Sequence, residues 1–218
     1  MTVQGFEAIS FEGKKGLLLD IDNTLYAYDP THKAAQHHAA LWVQDKLGIS
    51  PEEFKAAYAK ARERVHHDLN GQAASHSRLL YGQKLIENLL GKTDFALTLE
   101  LEQVYWGHFL SLMNLLPEAE AMLQKAQAAG VRVCLVTDLT AQIQHQKAIK
   151  LGLAPYVQYM VTSEEAGIEK PGAYMFQLGM EKLGLTPAEC LMVGDSQAKD
   201  IEGAEALGIT AYKIVITA

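Results

Sequence analysis

Leu17-Leu18-Leu19-Asp20-Ile21-Asp22-Asn23-Thr24 is the stretch of sequence that decides the fold. Its first three residues form a short apolar run typical of a buried strand, and the run ends on two carboxylates, Asp20 and Asp22, spaced i, i+2. The interior of a strand disfavours Asp. A buried strand that ends on Asp-x-Asp is therefore expected to direct these carboxylates at a ligand.

The second half of the chain alternates helical segments with short apolar runs. The helices are predicted from Pro117 to Gly130, near Gln142–Leu151, from Pro171 to Gly184, and in a last segment ending at Gly208. The apolar runs predict strands at Val131–Val136, Val157–Val161, Cys190–Val193 and Ala211–Ile216. Alternating strands and helices form a parallel sheet covered on both faces. The first strand belongs to the same sheet, so we predict an α/β fold with a Rossmann-like parallel sheet core.

A long segment between the first two strands has helical periodicity and no strand-like alternation. Ser50-Pro51-Glu52-Glu53 is a capping box with Pro at the first helical position. Apolar residues at helical spacing follow this box, and further helical patterns cover Lys33–Leu47, Arg78–Leu90 and Leu101–Met113. We predict an all-helical cap domain at residues 27–114, inserted into an α/β core of residues 1–26 and 115–218.

The composition excludes several classes of function. The net charge of −7 argues against binding to a nucleic acid polymer, which draws on clustered Lys and Arg. No apolar run approaches the roughly 20 residues of a membrane span, and no signal-peptide pattern is visible at the start. Cys134 and Cys190 each lie inside an apolar run and are expected to be buried, reduced thiols. We expect a cytoplasmic protein.

The polar residues of interest fall at the ends of the predicted strands. Asp20 follows the first strand, Thr137 the second and Asp195 the fourth, and Lys170 is expected at the N-terminus of a helix, where backbone dipoles favour anions. Ligands of open parallel sheets bind at the carboxyl ends of the strands. We therefore expect these four side chains to share one site.

This combination of side chains suits phosphoryl transfer. A carboxylate can attack phosphorus to form an aspartyl-phosphate, but it repels a phosphate dianion unless positive charge lies between them. A Mg²⁺ ion with oxygen ligands, a Lys and a hydroxyl supply that charge and those hydrogen bonds. A second carboxylate moves the proton of the leaving group and of the attacking water. The expected partner is a small phosphorylated metabolite.

Four motifs in order resemble those of the haloacid dehalogenase superfamily. They are Leu-Leu-Leu-Asp-Ile-Asp-Asn-Thr-Leu-Tyr (17–26), Val-Thr-Asp (136–138), Ile-Glu-Lys-Pro (168–171) and Val-Gly-Asp-Ser-Gln-Ala-Lys-Asp-Ile (193–201). The resemblance implies that Asp20 is the nucleophile and Asp22 the general acid and base, whose backbone carbonyl also binds Mg²⁺. It implies phosphate binding by Thr137 and Lys170, metal binding by Asp20 as well as direct metal ligation by Asp195, and support of the metal shell by Asp200.

Asp22 decides the reaction that the resemblance implies. Dehalogenase members of the superfamily lack an acid at this position, whereas phosphatases need one, so the chain resembles a phosphatase. The motif strings look most like pyrimidine and house-cleaning 5′-nucleotidases, which favours a nucleoside 5′-monophosphate as substrate. A sugar-phosphate phosphatase, a phosphomutase and a non-catalytic binding protein are the alternatives, and both a monomer and a homodimer remain open.

Three further residues carry expectations of their own. Asp138 stands where the resembling proteins usually have Asn, and Gly172 where they usually have Asp or Asn. The Asp138 charge would lie near the phosphate unless its side chain points away. In the cap, Arg78 is the candidate for a substrate contact, since Arg suits phosphate and carboxylate groups; a solvent-exposed helix residue is the alternative.

Overall fold

The computed structural model describes residues 5–216. Its strands are β1 (Gly16–Leu19), β2 (Arg132–Thr137), β3 (Val157–Thr162), β4 (Cys190–Gly194) and β5 (Thr210–Lys213). They form one parallel sheet of order β3-β2-β1-β4-β5. The five strand predictions are confirmed, although β5 ends at Lys213 rather than at Ile216.

The helices, in chain order, are α1 (Tyr28–Leu47), α2 (Pro51–Asp68), α3 (Arg78–Leu90), α4 (Phe95–Leu112), α5 (Pro117–Ala128), α6 (Ala141–Lys150), α7 (Ser163–Ala166), α8 (Ala173–Leu183) and α9 (Glu202–Glu205). A π-helical turn, Gln197–Ile201, precedes α9. The last helical segment is therefore divided in two, where the sequence predicted a single helix.

By its contacts the chain divides into two compact units. The first consists of residues 5–28 and 114–216, and the second of Asp29–Met113. In the first unit all four residues of β1 are buried, and Leu18 lies in register with Cys134 and Met192 on its two neighbouring strands. Because successive residues of a strand face opposite sides, helices must cover both faces of this sheet. The predicted α/β class is confirmed.

The second unit is entirely helical, with no strand residue anywhere in Asp29–Met113. The capping box at the start of α2 is present: the Ser50 backbone N–H donates to Glu53 Oε2 at 3.0 Å, and the Glu53 N–H donates to the Ser50 hydroxyl. α3 packs between α2 and α4. Its bounds, Arg78–Leu90, are those that the sequence predicted. The assignment of residues 27–114 as a cap domain stays a prediction.

One predicted helix start is wrong. α8 begins at Ala173 and not at Pro171, because residues 169–172 form a turn in which the Gly172 N–H donates to the Glu169 carbonyl at 2.9 Å. The turn contains a cis peptide bond before Pro171. Lys170 therefore lies in a turn that precedes the helix, rather than at the helix N-terminus.

Both cysteines are buried and unpaired, as the sequence predicts. Burial raises the pKa of Cys134 to about 12 and that of Cys190 to about 11, so both thiols stay protonated at neutral pH. Over residues 5–216, no helix combines the length and the apolar character that crossing a membrane requires.

Candidate phosphoryl-transfer site

Asp20 lies at the carboxyl end of β1, where its backbone N–H donates to the Val193 carbonyl of the neighbouring strand at 3.0 Å. One carboxylate oxygen accepts from Lys170 Nζ at 2.7 Å and the other from the Thr24 hydroxyl at 3.0 Å. The residue is 5% exposed. Burial raises the pKa of the Asp20 carboxyl above its usual range, and the neighbouring Asp200 and Asp22 carboxylates raise it further against the opposing charge of Lys170.

Asp20, Asp195 and Asp200 come together as the sequence predicts. One oxygen atom from each of the three carboxylates lies within 4.8 Å of the other two. Burial, with the charge of Asp200, raises the pKa of Asp195 to about 6. A site made of carboxylate oxygens alone suits a hard cation such as Mg²⁺ and not zinc, which prefers nitrogen and sulfur. The side chains present therefore fit the expected ion.

Asp200, like Asp20, accepts a hydrogen bond on each of its carboxylate oxygens. Its Oδ1 accepts from Lys170 Nζ at 2.6 Å and its Oδ2 from the Ser196 backbone N–H at 3.0 Å. Lys170 thus pairs with two buried carboxylates at once; burial lowers the pKa of its ammonium group, but the surrounding carboxylates outweigh burial and raise it. The ammonium group is fixed in its charged form beside the proposed nucleophile.

Because Gly194 has no side chain, Asp200 can pack directly against its backbone. A Cβ atom on Gly194 would lie 2.4 Å from Cγ and Oδ2 of Asp200, and 2.7 Å from its Cβ. Because the Asp side chain is short and is held from both sides, it cannot move aside without breaking its hydrogen bonds. The glycine at the end of β4 is therefore required by a close approach of side chain to backbone.

Gly194→Ala is expected to lower activity at least tenfold and to cost about 1–3 kcal/mol of unfolding free energy, the usual range for overpacking. Gly107→Ala is the matched control, since nothing lies within 4 Å of the added Cβ and the residue is inside α4. That control is expected to keep full activity and to gain up to about 1 kcal/mol. Phosphate release and urea denaturation measure both variants; a fully active Gly194→Ala enzyme would contradict this account of Asp200.

Asp22 is bound by two residues of α6 and by a tyrosine. Lys147 Nζ lies 2.6 and 2.7 Å from its two oxygens, Gln144 Nε2 donates to it at 3.3 Å, and the Tyr26 hydroxyl donates to it as well. Burial alone would raise the pKa of Asp22, but the charge and hydrogen bonds of Lys147, with those of Tyr26 and Gln144, lower it below its usual range. Asp22 is thus held as a carboxylate, the form that acts as a base.

Lys147→Met is expected to lower the unfolding free energy by about 1–3 kcal/mol at pH 7, less than for a fully buried pair because 30% of the Asp22 side chain is exposed. A carboxyl with a lowered pKa stabilises the fold above its unfolded pKa of about 3.9 and loses that contribution as pH falls. The difference from wild type should therefore shrink below pH 4 in urea denaturation. An equal difference at pH 3 and pH 7 would indicate that only the aliphatic stem of Lys147 contributes.

Thr137 is the last residue of β2 and is fully buried. Gln144 Nε2 donates to its hydroxyl oxygen at 2.7 Å and to the Asp138 carbonyl at 2.6 Å. The Thr137 hydroxyl itself donates to the Asp138 carbonyl at 3.4 Å, a long and therefore weak hydrogen bond that a better acceptor can replace. Gln144 contacts both Thr137 and Asp22, so it joins the two candidate residues of neighbouring strands.

Asp138 points away from this hydroxyl toward two other loops. Its Oδ1 accepts the Lys170 backbone N–H at 2.9 Å, and its Oδ2 pairs with Lys199 Nζ at 2.8 Å. The following residue, Leu139, has a φ of +94°, a strained value for a side chain with a Cβ. Its N–H donates to the Ser163 hydroxyl at 2.9 Å, which helps to hold the loop.

Arg78 lies in the second unit, at the start of α3. Its guanidinium group donates to the His76 carbonyl at 2.6 Å and lies 5.2–5.5 Å from the ring centres of Tyr81, Tyr105 and Trp106. Cation–π contacts of this kind stabilise a cation that is partly removed from water. The Arg78 side chain is partly buried, and its role in substrate binding stays a prediction.

Lys147 and Gln144 are the residues that sequence reasoning missed. Lys147 and Gln144 are three residues apart on α6, and both are fully buried. Their spacing places them on one face of a helix, but polar residues on a helix ordinarily face solvent. The available signal was the position of this helix directly after Thr137, at the end of the sheet where ligands bind.

The family model for haloacid dehalogenase-like hydrolase matches residues 14–208. A parallel sheet with carboxylates at the ends of β1 and β4 is consistent with this match. The chain belongs to the haloacid dehalogenase-like hydrolase family.

Similar proteins of this family include phosphatases. A ribulose-1,5-bisphosphate 5-phosphatase of Halopiger xanaduensis is 40% identical over 195 residues, which are 88% of this chain and 81% of that protein. The pyrimidine 5′-nucleotidase PynA of Streptococcus pneumoniae is 25% identical over 199 residues, 89% of this chain and 79% of that protein. The crystal structure of a phosphatase from Thermococcus onnurineus superposes with a TM-score of 0.70 at 25% identity, covering 92% of this chain and 86% of that one. The chain is a phosphatase of this family that acts on phosphate monoesters.

Proposed function

We propose that this phosphatase hydrolyses a small sugar phosphate through an aspartyl-phosphate on Asp20, with Mg²⁺ as cofactor. The observation that carries the mechanism is the position of Asp20, a buried carboxylate 2.7 Å from the Lys170 ammonium group and within 4.8 Å of Asp195 and Asp200. Mg²⁺ bound by these carboxylates would supply positive charge that offsets the repulsion between Asp20 and the phosphate dianion.

In the first half-reaction an oxygen of Asp20 attacks phosphorus and the ester oxygen leaves. Lys170 and the Thr137 hydroxyl, which would exchange its long hydrogen bond to the Asp138 carbonyl for one to the substrate, would bind oxygens of the phosphoryl group as negative charge builds up on them. The leaving alkoxide takes a proton from Asp22, which must first acquire that proton from solvent.

In the second half-reaction water attacks the phosphorus of the aspartyl-phosphate, and Asp22 removes its proton. Asp22 then already has the required charge, because Lys147, Tyr26 and Gln144 hold it as a carboxylate. The Asp20–phosphorus bond breaks, Asp20 recovers its charge, and inorganic phosphate is released.

Removal of Mg²⁺ with a chelator is expected to abolish phosphate release, and added Mg²⁺ should restore it. Mg²⁺ should also raise the melting temperature, because an ion that binds only the folded chain stabilises it by about 2.7 kcal/mol at a hundred times its dissociation constant. The rise should be larger at pH 8 than at pH 5, because the raised pKa values of Asp20 and Asp195 leave both carboxyls partly protonated in acid. Calorimetry with Asp195→Asn as control measures this; equal shifts in both proteins would place the ion elsewhere.

The sugar phosphate is preferred because the 40% identical relative, over most of both chains, is named for a sugar bisphosphate. A nucleoside 5′-monophosphate, the substrate favoured by the motif strings, is the second candidate, supported by the likeness to PynA. A panel of sugar phosphates and nucleoside monophosphates separates the two by kcat/KM. We expect the best sugar phosphate to exceed every nucleotide by at least about tenfold; the reverse order would establish the nucleotidase.

Two other expectations are tested in the same assay. A phosphomutase would return isomerised sugar phosphate rather than free phosphate, so both products are measured. Complete absence of phosphate release across the panel would favour a non-catalytic binding protein. The cytoplasmic location stays a prediction, which fractionation of cells that produce the chain can test.

A further inference from the structure

Lys199 lies between two carboxylates beside the proposed phosphate site. Its Nζ is 2.8 Å from Oδ2 of Asp138 and 3.6 Å from Oε2 of Glu169. The lysine belongs to the π-helical turn after β4, whereas Asp138 follows β2 and Glu169 precedes α8. The ion pair therefore joins three segments that are far apart in the sequence.

Asp138 is bound on both of its oxygens, one to Lys199 and one to the Lys170 backbone N–H. The residue directly follows Thr137 in the chain and its carboxylate accepts the backbone N–H of Lys170, so Asp138 adjoins both of the proposed phosphate ligands. An Asn amide oxygen would accept the Lys170 N–H equally well but would carry no charge. What distinguishes the Asp in this position is therefore the negative charge that it brings to an anion site.

That charge requires compensation. Two anions a few ångströms apart repel by several kcal/mol wherever water is partly excluded, so an uncompensated Asp138 would weaken phosphate binding. The Lys199 side chain is 38% exposed and the Asp138 side chain 16%. An ion pair that is exposed to this degree contributes little to the free energy of unfolding. Loss of the ion pair is thus expected to weaken the binding of the substrate phosphate and to leave the stability of the fold nearly unchanged.

We propose that Lys199 is a positioning residue that neutralises Asp138, so that Asp138 can hold the Lys170 backbone without repelling the substrate phosphate. The proposal rests on the proposed function, in which Thr137 and Lys170 bind the phosphoryl group. It makes Asp138 and Lys199 a unit: the lysine is needed only while the carboxylate is present.

A double-mutant cycle of Asp138→Asn, Lys199→Met and the combined variant tests this dependence. KM for p-nitrophenyl phosphate and the inhibition constant of inorganic phosphate are measured with saturating Mg²⁺. Lys199→Met is expected to raise both constants about tenfold, equivalent to about 1.4 kcal/mol, with kcat changed less than about threefold. Asp138→Asn should change KM and the inhibition constant little, and the combined variant should return both to within about threefold of wild type. Full recovery is not expected, because Glu169 no longer has the Lys199 ammonium group beside it.

Two controls separate charge from structure. The loss in Lys199→Met should shrink as salt is raised from 0.05 to about 0.5 M, because salt screens exposed charges, and melting temperatures should stay within a few degrees. Lys182→Met removes another lysine of an ion pair, the one with Glu165 at 2.6 Å. It should leave both constants unchanged.

A combined variant as impaired as Lys199→Met would overturn the proposal, since Lys199 would then act on the phosphate directly. Unchanged constants in Lys199→Met would overturn it as well. If wild type releases no phosphate from any ester, the proposed function fails by itself, and calorimetric binding of inorganic phosphate to the four proteins still decides whether Lys199 compensates Asp138.

Discussion

Asp20→Asn is expected to reduce kcat by about 10⁴-fold or more, the scale of loss seen when a covalent nucleophile is removed. The amide cannot attack phosphorus, because its nitrogen and oxygen lack the charge of the carboxylate. Its oxygen can still accept from Lys170, and Asp200 remains as the second partner of that lysine at 2.6 Å. The loss should therefore come from chemistry and not from unfolding.

The direction in which Asp20→Asn changes the free energy of unfolding can also be predicted. A carboxyl whose pKa is raised by folding destabilises the folded state as pH rises above the unfolded value of about 3.9. Without metal, the variant should therefore be at least as stable as wild type at pH 8, with the difference vanishing near pH 4. Asp45→Asn, the same change at an exposed residue of α1, is the control for activity. Normal hydrolysis of p-nitrophenyl phosphate by Asp20→Asn would refute the mechanism.

Asp22→Asn is expected to slow hydrolysis of alkyl phosphates by about 10²–10⁴-fold, the usual contribution of general acid–base catalysis. With p-nitrophenyl phosphate the first step should be largely spared, since p-nitrophenolate leaves without a proton. The second step still lacks its base. We therefore expect a rapid burst of p-nitrophenolate, close to one equivalent per site, followed by slow turnover in stopped-flow absorbance.

The Lys147 side chain must be considered when the Asp22→Asn variant is interpreted, and a change at Lys147 provides the control. Its side chain is fully buried beside Asp22, so loss of the Asp22 charge should lower stability as well as activity. Asp22→Asn combined with Lys147→Met removes both charges and should regain stability without regaining activity. Recovery of turnover in this double variant would show that the defect of Asp22→Asn arose from the stranded lysine and not from a missing acid and base.

The sequence was sufficient for the centre of the sheet because β1, β4 and all of β2 after its first residue are buried on both faces. Such strands appear as uninterrupted apolar runs, and β1 through β4 were located within two residues. The capping box at Ser50 placed the start of α2 as well, since the Ser50 hydroxyl accepts the Glu53 N–H there. Pro171, by contrast, led to a wrong start for α8. A proline can begin a helix or occupy a turn, and only tertiary packing decides between the two.

The interactions around the candidate residues were not predictable in the same way. Asp20 and Asp22 stand out because a charged residue ends an apolar run. Lys199 forms its ion pair with Asp138 across 61 residues of sequence, and Lys147 reaches Asp22 across 125. Such partners depend on the tertiary arrangement of the loops, which no local periodicity encodes. A carboxylate at a strand end can thus be assigned from sequence, whereas the charged residues that pair with it and shift its pKa cannot.

The central claim, a covalent intermediate on Asp20, is tested most directly by mass spectrometry of Asp22→Asn enzyme. The enzyme is mixed with p-nitrophenyl phosphate and Mg²⁺ and quenched in acid during slow turnover, when the intermediate should accumulate. We predict a mass increase of one phosphoryl group on the peptide that contains Asp20, absent when Asp20→Asn is added to the variant. Continued turnover with no adduct, or an adduct on a different residue, would contradict the claim.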